Sequence, residues 1–272
     1  MEKEFYFISG LPRSGNGLIS AILNQNPRFY SGLSSPMVEV IASTENAFSS
    51  SMDFPVKKEP IAKQILKSIL VQYYSDRKED VIFDVNASWL NNIPSIRDVL
   101  DLKPRIICPV RSNDAILTSF ISAINEKSCL SSHGKLNFID EVLVKNNVQI
   151  NDRNRCEYLA GNGPLGEALG KLKQILTDGM DSCIHIVEYD DLIEYPHETM
   201  NLIYEFLGEE PYEHDFDNIK SEYADTDIVK YGIQDITKIR SMLKSTSQDP
   251  KKILPEEVYN MCKGTEFWRD DE

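Results

Sequence analysis

The stretch Gly10-Leu-Pro-Arg13-Ser-Gly15-Asn-Gly17 decides the fold of this chain, because it joins two segments of different periodicity. An apolar run, Phe5-Tyr-Phe-Ile8, precedes it, and a helical pattern, Leu18-Ile-Ser-Ala-Ile-Leu23, follows it. A glycine-bearing loop between a strand and a helix turns backbone N–H groups inward, and the positive end of the helix dipole lies behind them. This glycine loop, residues 10–17, therefore predicts an anion site, with an ordinary strand-to-helix turn as the alternative.

The residue types in the glycine loop argue against magnesium nucleoside triphosphate as the anion. A nucleoside-triphosphatase loop has Gly, four residues, then Gly-Lys-Ser/Thr, in which the lysine contacts the outer phosphates and the hydroxyl binds magnesium. Gly10 and Gly15 keep that spacing, but Asn16 and Gly17 replace the lysine and the hydroxyl residue. Arg13 offers a guanidinium fork that binds phosphate or sulfate oxygens without a metal. The loop thus predicts a metal-free site.

Length and charge favour one large α/β domain, residues 1–272, with a local cationic pocket. The chain is 41% hydrophobic, which is enough for a sizeable core. Its net charge of −14 opposes binding to nucleic acid or to an anionic membrane surface. The five cysteines are widely spread and predict neither a zinc cluster nor a disulfide framework. We expect a soluble, cytoplasmic protein, since the first strand begins early and no run reaches the length of a membrane span.

Short apolar runs alternate with amphipathic stretches along the chain. The apolar runs are residues 5–8, 81–85, 105–110 and 184–189. Between the first two, Ile61, Ile65, Ile69 and Tyr73 recur every fourth residue beside Leu66 and Leu70, which describes one face of a helix. This order predicts a doubly wound parallel sheet flanked by helices, whose ligands bind beyond the carboxyl ends of the strands.

Two further segments are distinguished by their composition. Residues 127–166 are polar and include His133, so we expect a surface excursion that acts as a lid or acceptor wall, or else a plain insertion. Residues 223–272 carry Arg240 and end in an aromatic pair, Phe267 and Trp268, before an acidic terminus. We expect the aromatic pair to hold this tail against the body of the protein.

A second candidate anion site follows the apolar run 105–110. Arg111 comes directly after that run, and Ser112-Asn113-Asp114 supplies capping residues for a helix that contains Ser119. An arginine at the carboxyl end of a strand and a hydroxyl two turns into the next helix form an oxyanion clamp at the same sheet edge as the glycine loop. Two such sites indicate a ligand phosphorylated at two places. Taken separately, Arg111 also fits a surface ion pair and Ser119 a helix-facing hydroxyl.

With both sites in view, the chain resembles the sulfotransferases that use 3′-phosphoadenosine 5′-phosphosulfate (PAPS), most closely their bacterial-type branch. Their 5′-phosphosulfate loop is similar to Leu11-Pro-Arg-Ser-Gly15, and their 3′-phosphate motif is an arginine eight residues before a serine, as in this chain. The similarity continues through Leu23-Asn-Gln-Asn-Pro27, Asn86-Ala-Ser-Trp89, Glu188-Tyr-Asp-Asp-Leu192, Ile203-Tyr-Glu-Phe-Leu-Gly208, His214-Asp-Phe-Asp-Asn218 and Glu266-Phe-Trp268.

The resemblance implies a P-loop-like three-layer sandwich and transfer of a sulfuryl group from PAPS to a hydroxyl or amine, with release of adenosine 3′,5′-bisphosphate (PAP) and without a metal. It also implies that the segment 223–272 covers the nucleotide. The nucleotide-binding positions that it implies are Pro12, Arg13, Ser14, Gly15, Asn16, Gly17, Leu18, Arg111, Ser119 and, by a looser match, Arg240. The family usually has Ser or Thr at position 16 and commonly Thr at position 17. The loss of these hydroxyls predicts weaker donor binding.

Sulfuryl transfer needs a base near the acceptor and cationic or N–H donors on the oxygen that leaves with the phosphate. Arg13 and the loop amides fit the second role. Members of the family use a glutamate soon after the second strand or a histidine as the base, but Ser34 and Ser35 stand roughly at the glutamate position. Glu39 lies about one helical turn later and is our candidate base, with a surface glutamate as the alternative. Asp84 is its rival.

Other residues complete the candidate site. Asn86 follows a strand end, and we expect it to donate to the transferred group, whereas Trp89 fits either the pocket or the core. Two further functions stay open: a phosphotransferase that uses nucleoside triphosphate, and a non-catalytic PAP-binding protein. The sequence leaves the acceptor open among small molecules, glycans, lipids and peptides, and it predicts no oligomeric state.

Overall fold

Five parallel strands form one sheet, in the order β2-β3-β1-β4-β5. The computed structural model describes residues 3–50, 59–127, 136–220 and 227–269. The strands are β1 Glu4–Ile8, β2 Phe29–Ser31, β3 Val81–Val85, β4 Ile106–Val110 and β5 Ile184–Glu188. Because β1 lies at the centre, between β3 and β4, the glycine loop opens at the middle of the carboxyl edge of the sheet, where ligands of such sheets bind.

Helices connect the strands and cover the sheet. Within the described ranges the α-helices are α1 Asn16–Leu23, α2 Met37–Ser50, α3 Glu59–Tyr73, α4 Asn113–Lys127, α5 Phe138–Lys145, α6 Asp152–Ala160, α7 Pro164–Thr177, α8 Tyr189–Glu194, α9 Pro196–Leu207, α10 Asp227–Tyr231, α11 Pro250–Ile253 and α12 Glu256–Cys262. A 3-10 helix, Trp89–Asn92, and a π-helix, Ser95–Val99, follow β3. None of the described helices is long and apolar enough to cross a bilayer.

Alternate residues of the central strand face two separate apolar cores. Phe5 and Phe7 of β1 pack into one cluster, and Tyr6 and Ile8 pack into the other. The Phe7 ring lies 4.5 Å from the ring of the fully buried Trp89, measured between centroids, so Trp89 belongs to the core. A strand that is apolar on both faces needs a covering layer on each side. The parallel sheet between helices, predicted from the sequence, is confirmed.

The buried face of α3 lies one residue further along the chain than the sequence pattern indicated. Ile61 and Ile65 of the predicted face are 52% and 42% exposed, whereas Leu66 and Leu70 are buried. Tyr74, four residues after Leu70, is also buried, and its hydroxyl donates to a buried carboxylate. That hydrogen bond favours the observed rotation of the helix over the one with Ile61 inside.

The segment 127–166 differs from the expected surface excursion. Its described part contains α5 and α6, and both helices contribute buried residues to the core, among them Ile139 and Leu159. A buried ion pair joins the two helices, with Arg155 Nη2 2.7 Å from Asp140 Oδ2. The polar composition therefore reflects an internal ion pair as well as solvent-facing positions. His133 lies outside the described residues.

Gly10 permits the closest approach between the glycine loop and β4. A Cβ atom at Gly10 would lie 2.2 Å from the carbonyl oxygen of Pro109, which is backbone and has no room to move. The same carbonyl accepts the N–H of Leu11 at 2.8 Å. By contrast, a Cβ atom at Gly170, within α7, would contact nothing within 4 Å.

We therefore predict opposite effects for two glycine-to-alanine changes. Gly10→Ala should lower the free energy of unfolding by about 3 kcal/mol, because β1 and β4 must separate. Gly170→Ala should raise it by about 0.5–1 kcal/mol, because alanine restricts the unfolded chain and fits the helix. Urea denaturation of the two variants measures both values. Equal effects would show that the approach at Gly10 is not a constraint.

Candidate functional site

The glycine loop presents backbone N–H groups at the start of α1. Gly15 precedes the helix with φ of +95°, and no side chain caps it. Arg13 also has a left-handed backbone, with φ of +61°. The first N–H groups of a helix have no partner inside the helix. This part of the loop therefore presents N–H groups that can donate hydrogen bonds, and the oxygens of a phosphate or sulfate are suitable acceptors.

The structure brings the Arg13 side chain to the second candidate site. Arg13 Nε donates to Ser119 Oγ of α4 at 3.1 Å, and Arg13 Nη1 donates to the carbonyl oxygen of Ile236. Arg111 Nη1 lies 3.4 Å from the carbonyl oxygen of Arg13. The glycine loop and the Arg111–Ser119 clamp are therefore neighbours at one edge of the sheet, as the sequence predicted.

Arg111 is buried beside the same loop. Its Nη2 donates to Ser247 Oγ at 2.7 Å, and its guanidinium carbon lies 4.3 Å from the ring centroid of Tyr189. Its Nε is buried and has no hydrogen-bond partner among the described residues.

Burial lowers the pKa of both guanidinium groups, Arg13 and Arg111, and the nearby Arg111 charge lowers the pKa of Arg13 further. Arginine stays protonated in proteins even when its pKa is lowered. These two adjacent cations repel each other, and an anion bound between them would relieve the repulsion.

The Asn16 side chain is hydrogen-bonded within the glycine loop. Its Nδ2 donates to the carbonyl oxygen of Leu11 at 2.9 Å, so one amide donor is engaged within the loop. Its Oδ1 is buried without a partner in the described part of the chain. A buried acceptor without a hydrogen-bond partner costs roughly 1–3 kcal/mol of folding stability, so Asn16 is unfavourable in the unliganded loop.

The remaining loop residues lie against neighbouring elements. A Cβ atom at Gly15 would approach Tyr189 to 3.1 Å, and one at Gly17 would approach Ile239 to 3.3 Å. Ser14 is buried, Pro12 is half-buried, and Leu18 packs on the core that contains Ile8. Tyr189 and Ile239 therefore form the walls next to the loop.

The late segment of the chain lies over the glycine loop. Ile236, Ile239 and Ser247 all contact the loop or Arg111. Arg240 belongs to this segment, but its side chain is exposed, and it makes no hydrogen bond to Arg111 or Ser119. Residues 223–226 and 270–272 of the predicted covering segment lie outside the described residues.

The tail closes on the same edge of the sheet through polar contacts. The carboxylate of Glu266 accepts the backbone N–H of Asn113, at the start of α4, at 2.8 Å. Trp268 Nε1 donates to Glu188 at 2.9 Å, and Arg269 forms two bonds of 2.7 and 2.8 Å to the same carboxylate. Trp268 thus holds the tail as expected, while Phe267 is 41% exposed. Sequence reasoning gave Glu188 no role, because its partners are more than 75 residues away.

The two candidate base carboxylates have different surroundings. Both oxygens of Glu39 lie 3.0 Å from Asn86 Nδ2, and Glu39 is exposed. Asp84 is fully buried and accepts bonds of 2.6–2.7 Å from Ser35 Oγ, Tyr74 OH and Trp89 Nε1. Burial raises the pKa of Asp84, although its three hydrogen bonds oppose that rise. Asp84 therefore joins β3 to the residue that follows α3 and to the 3-10 helix, and Glu39 is the accessible carboxylate of the two.

A cavity of about 280 Å³ lies beside the glycine loop. Gly10, Pro12 and Asn16 form one side, and Ala87 and Ser88, which follow Asn86, form another. The third side is the face of α7, with Tyr158 of α6. We call it the α7 cavity. Sequence analysis did not identify this wall, and its one local signal was the turn Gly161-Asn-Gly163-Pro164 before α7. In the described ranges, no group of three His, Cys, Asp or Glu side chains is placed to hold a metal ion.

Comparison with known proteins gives a match to one sequence family and similarity to solved structures. The sequence model of the sulfotransferase domain matches residues 4–263. The solved sulfotransferase domain from the curacin biosynthetic pathway superimposes with a TM-score of 0.52 at 12% identity, covering 96% of this chain and 97% of that one. Retinol dehydratase in a complex with retinol and PAP has a TM-score of 0.51 at 13% identity, covering 96% of this chain and 80% of that one. No curated protein matches the sequence. The predicted P-loop-like α/β fold is confirmed.

The surroundings of the two carboxylates predict different responses to mutation. Asp84→Ala should lower the free energy of unfolding by about 3–4 kcal/mol, because three buried donors lose their acceptor. Glu39→Gln should change it by less than about 0.5 kcal/mol, because the side chain is exposed. Urea denaturation monitored by tryptophan fluorescence measures both. A loss at Glu39 as large as that at Asp84 would contradict this division.

Proposed function

The chain belongs to the sulfotransferase family, and we propose that it moves a sulfuryl group from PAPS to a hydroxyl or amine acceptor and releases PAP. The observation that carries this proposal is the contact between the two candidate anion sites, through Arg13 and Ser119. The 3′ and 5′ phosphate groups of PAP are attached to one ribose, so their two sites must be neighbours. Retinol dehydratase, which has a similar fold, was solved with PAP bound.

For donor binding, we assign the 5′-phosphosulfate to the glycine loop and the 3′-phosphate to Arg111 and Ser119. The α1 N–H groups and Arg13 supply donors for the 5′ group, and Pro12, Ser14, Gly15, Asn16, Gly17 and Leu18 shape the loop that holds it. The buried Nε of Arg111 has no hydrogen-bond partner among the described residues, so it is a further donor for the 3′-phosphate. Arg240 stays a weaker candidate, because its exposed side chain would have to turn inward.

The transfer step follows from these positions. The acceptor oxygen attacks sulfur and forms the new S–O bond, while the bond between sulfur and the bridging oxygen breaks and its electron pair goes to the 5′-phosphate of PAP. Arg13 and the dipole of α1 stabilise that developing charge without a metal. Glu39 takes the acceptor proton, and Asn86, whose Nδ2 also donates to the Ser35 carbonyl oxygen at 2.8 Å, orients Glu39 through its 3.0 Å contacts.

One observation favours a second candidate, a PAP-binding protein without transfer activity. The family usually has a hydroxyl residue at position 16. Here Asn16 Nδ2 donates to the carbonyl oxygen of Leu11, and Asn16 Oδ1 has no partner among the described residues. The phosphotransferase alternative lacks comparable support, because Asn16 stands where a nucleoside-triphosphatase has its lysine.

A thermal-shift comparison separates these ligand classes. At one hundred times its Kd, PAP should stabilise the protein by about 2.7 kcal/mol and raise Tm. Magnesium ADP at equal concentration should give a smaller shift, because the loop lacks the lysine and the hydroxyl that bind metal nucleotide. Arg13→Ala should abolish turnover and most of the PAP shift, while the exposed Arg97→Ala control should keep both. A larger shift with magnesium ADP would support the phosphotransferase instead.

The role of Glu39 is tested by turnover. Glu39→Gln should lower kcat about 10²-fold or more, because the acceptor proton loses its base, and should leave the Kd for PAP unchanged. Transfer of label from radioactive PAPS and calorimetric titration with PAP measure the two quantities. Unchanged kcat would remove Glu39 from the mechanism. Normal PAP binding with no transfer by the parent protein, across acceptors of every class, would support the non-catalytic alternative.

A further inference from the structure

We infer that the α7 cavity binds a small polyhydroxylated acceptor, of the sugar or cyclitol type, in preference to an apolar alcohol. The inference rests on the proposed sulfuryl transfer. Three residues of the glycine loop, Gly10, Pro12 and Asn16, line the cavity. A molecule bound there therefore lies directly beside the group that Arg13 and the loop would hold, and its hydroxyls are within the region where transfer takes place.

The size of the cavity favours a small acceptor. Its volume of about 280 Å³ is slightly below the range of about 300–1,000 Å³ that ligand pockets typically span. A single sugar ring fits such a space, whereas a long lipid chain or a folded peptide segment would have to extend far outside it.

The charged side chains that line the cavity, Glu167 and Lys171, both come from α7. Pro164, Glu167, Ala168 and Lys171 recur at helical spacing of three and four residues, so they form one continuous face. Glu167 is exposed and Lys171 is half-buried. Within the described residues, no hydrogen bond or ion pair occupies either charged group, so a carboxylate acceptor and an ammonium donor are both available to a ligand.

The chemistry of the lining discriminates between acceptor classes. The aliphatic lining comes from small side chains, Ala87 and Ala168, and from two prolines. An apolar alcohol that filled the cavity would cover the half-buried Lys171 without giving its ammonium group a partner, which is costly for a charged group. A polyhydroxylated ring offers O–H donors to the carboxylate and oxygen acceptors to the ammonium group.

The opposite charges also disfavour a strongly ionic acceptor. Glu167 and Lys171 lie one helical turn apart, so an acceptor with an acidic group would meet the carboxylate beside the ammonium group. Neutral hydroxyls carry no such repulsion. Tyr158, which lines the cavity beside α7, adds an aromatic ring that can cover the C–H face of a sugar ring.

The test compares acceptors of similar size and opposite polarity. The full chain and radioactive PAPS are incubated with glucose, glucosamine, N-acetylglucosamine or myo-inositol, and in parallel with 2-naphthol or 1-octanol. We expect kcat/KM to be higher for at least one of the polyhydroxylated probes than for either apolar alcohol. A higher value for 2-naphthol or 1-octanol would overturn the inference.

Variants of α7 identify the residues responsible. Glu167→Gln and Lys171→Met should each raise KM for the preferred polyhydroxylated probe at least tenfold and keep the Kd for PAP within twofold. Lys173→Met is the matched control, because Lys173 lies on the exposed face of the same helix, and it should leave KM unchanged. Equal KM values for Lys171→Met and Lys173→Met would overturn the assignment.

The outcomes separate this inference from the proposed function. Loss of PAP binding by the parent protein would refute the proposed function and, with it, this inference. PAP binding together with transfer to the apolar alcohols, or to none of the probes, would refute the acceptor assignment and leave the donor site intact.

Discussion

The contact between the backbone at Gly10 and the carbonyl of Pro109 is the constraint on which the site depends. It draws the end of β1 against β4, so the glycine loop and the residue that follows β4 start from adjacent points. Arg111 then lies close enough for its Nη1 to approach the Arg13 carbonyl oxygen. A side chain at Gly10 would separate the two strands and, with them, the two cationic groups. The proposed anion site therefore depends on strand packing as much as on the loop sequence.

The central strand and the positions of the two candidate anion sites were predictable from the sequence because their signals are local. The glycine loop stands between a strand and a helix, and the spacing of Arg111 and Ser119 places one at a strand end and the other two turns into α4. β2, Phe29–Ser31, was missed, because three residues are too few to show a period. The predicted buried face of α3 was also wrong, because the hydrogen bond of Tyr74 to a distant strand outweighs the apolar pattern of the isolated helix.

The parts that escaped sequence reasoning are those made by distant segments. The α7 cavity combines residues that follow β1 and β3 with one face of α7, and no local spacing relates the three. The sequence made Glu39 the candidate base and left Asp84 as an alternative. Their surroundings separate them, since three donors surround Asp84 inside the core and a single amide meets Glu39 at the surface. Burial and partner count, which depend on the whole fold, decide between structural and chemical roles.

Glu266, Trp268 and Arg269 hold the tail against the edge of the sheet, and we call these contacts the clasp. The clasp has a consequence for the synthesis of the protein. Glu266 joins the start of α4 across 153 residues, and Arg269 joins Glu188 across 81. A ribosome delivers the glycine loop first and these closing residues long afterwards. The nascent chain must therefore hold its cationic groups without the clasp until the residues around Arg269 have left the exit tunnel.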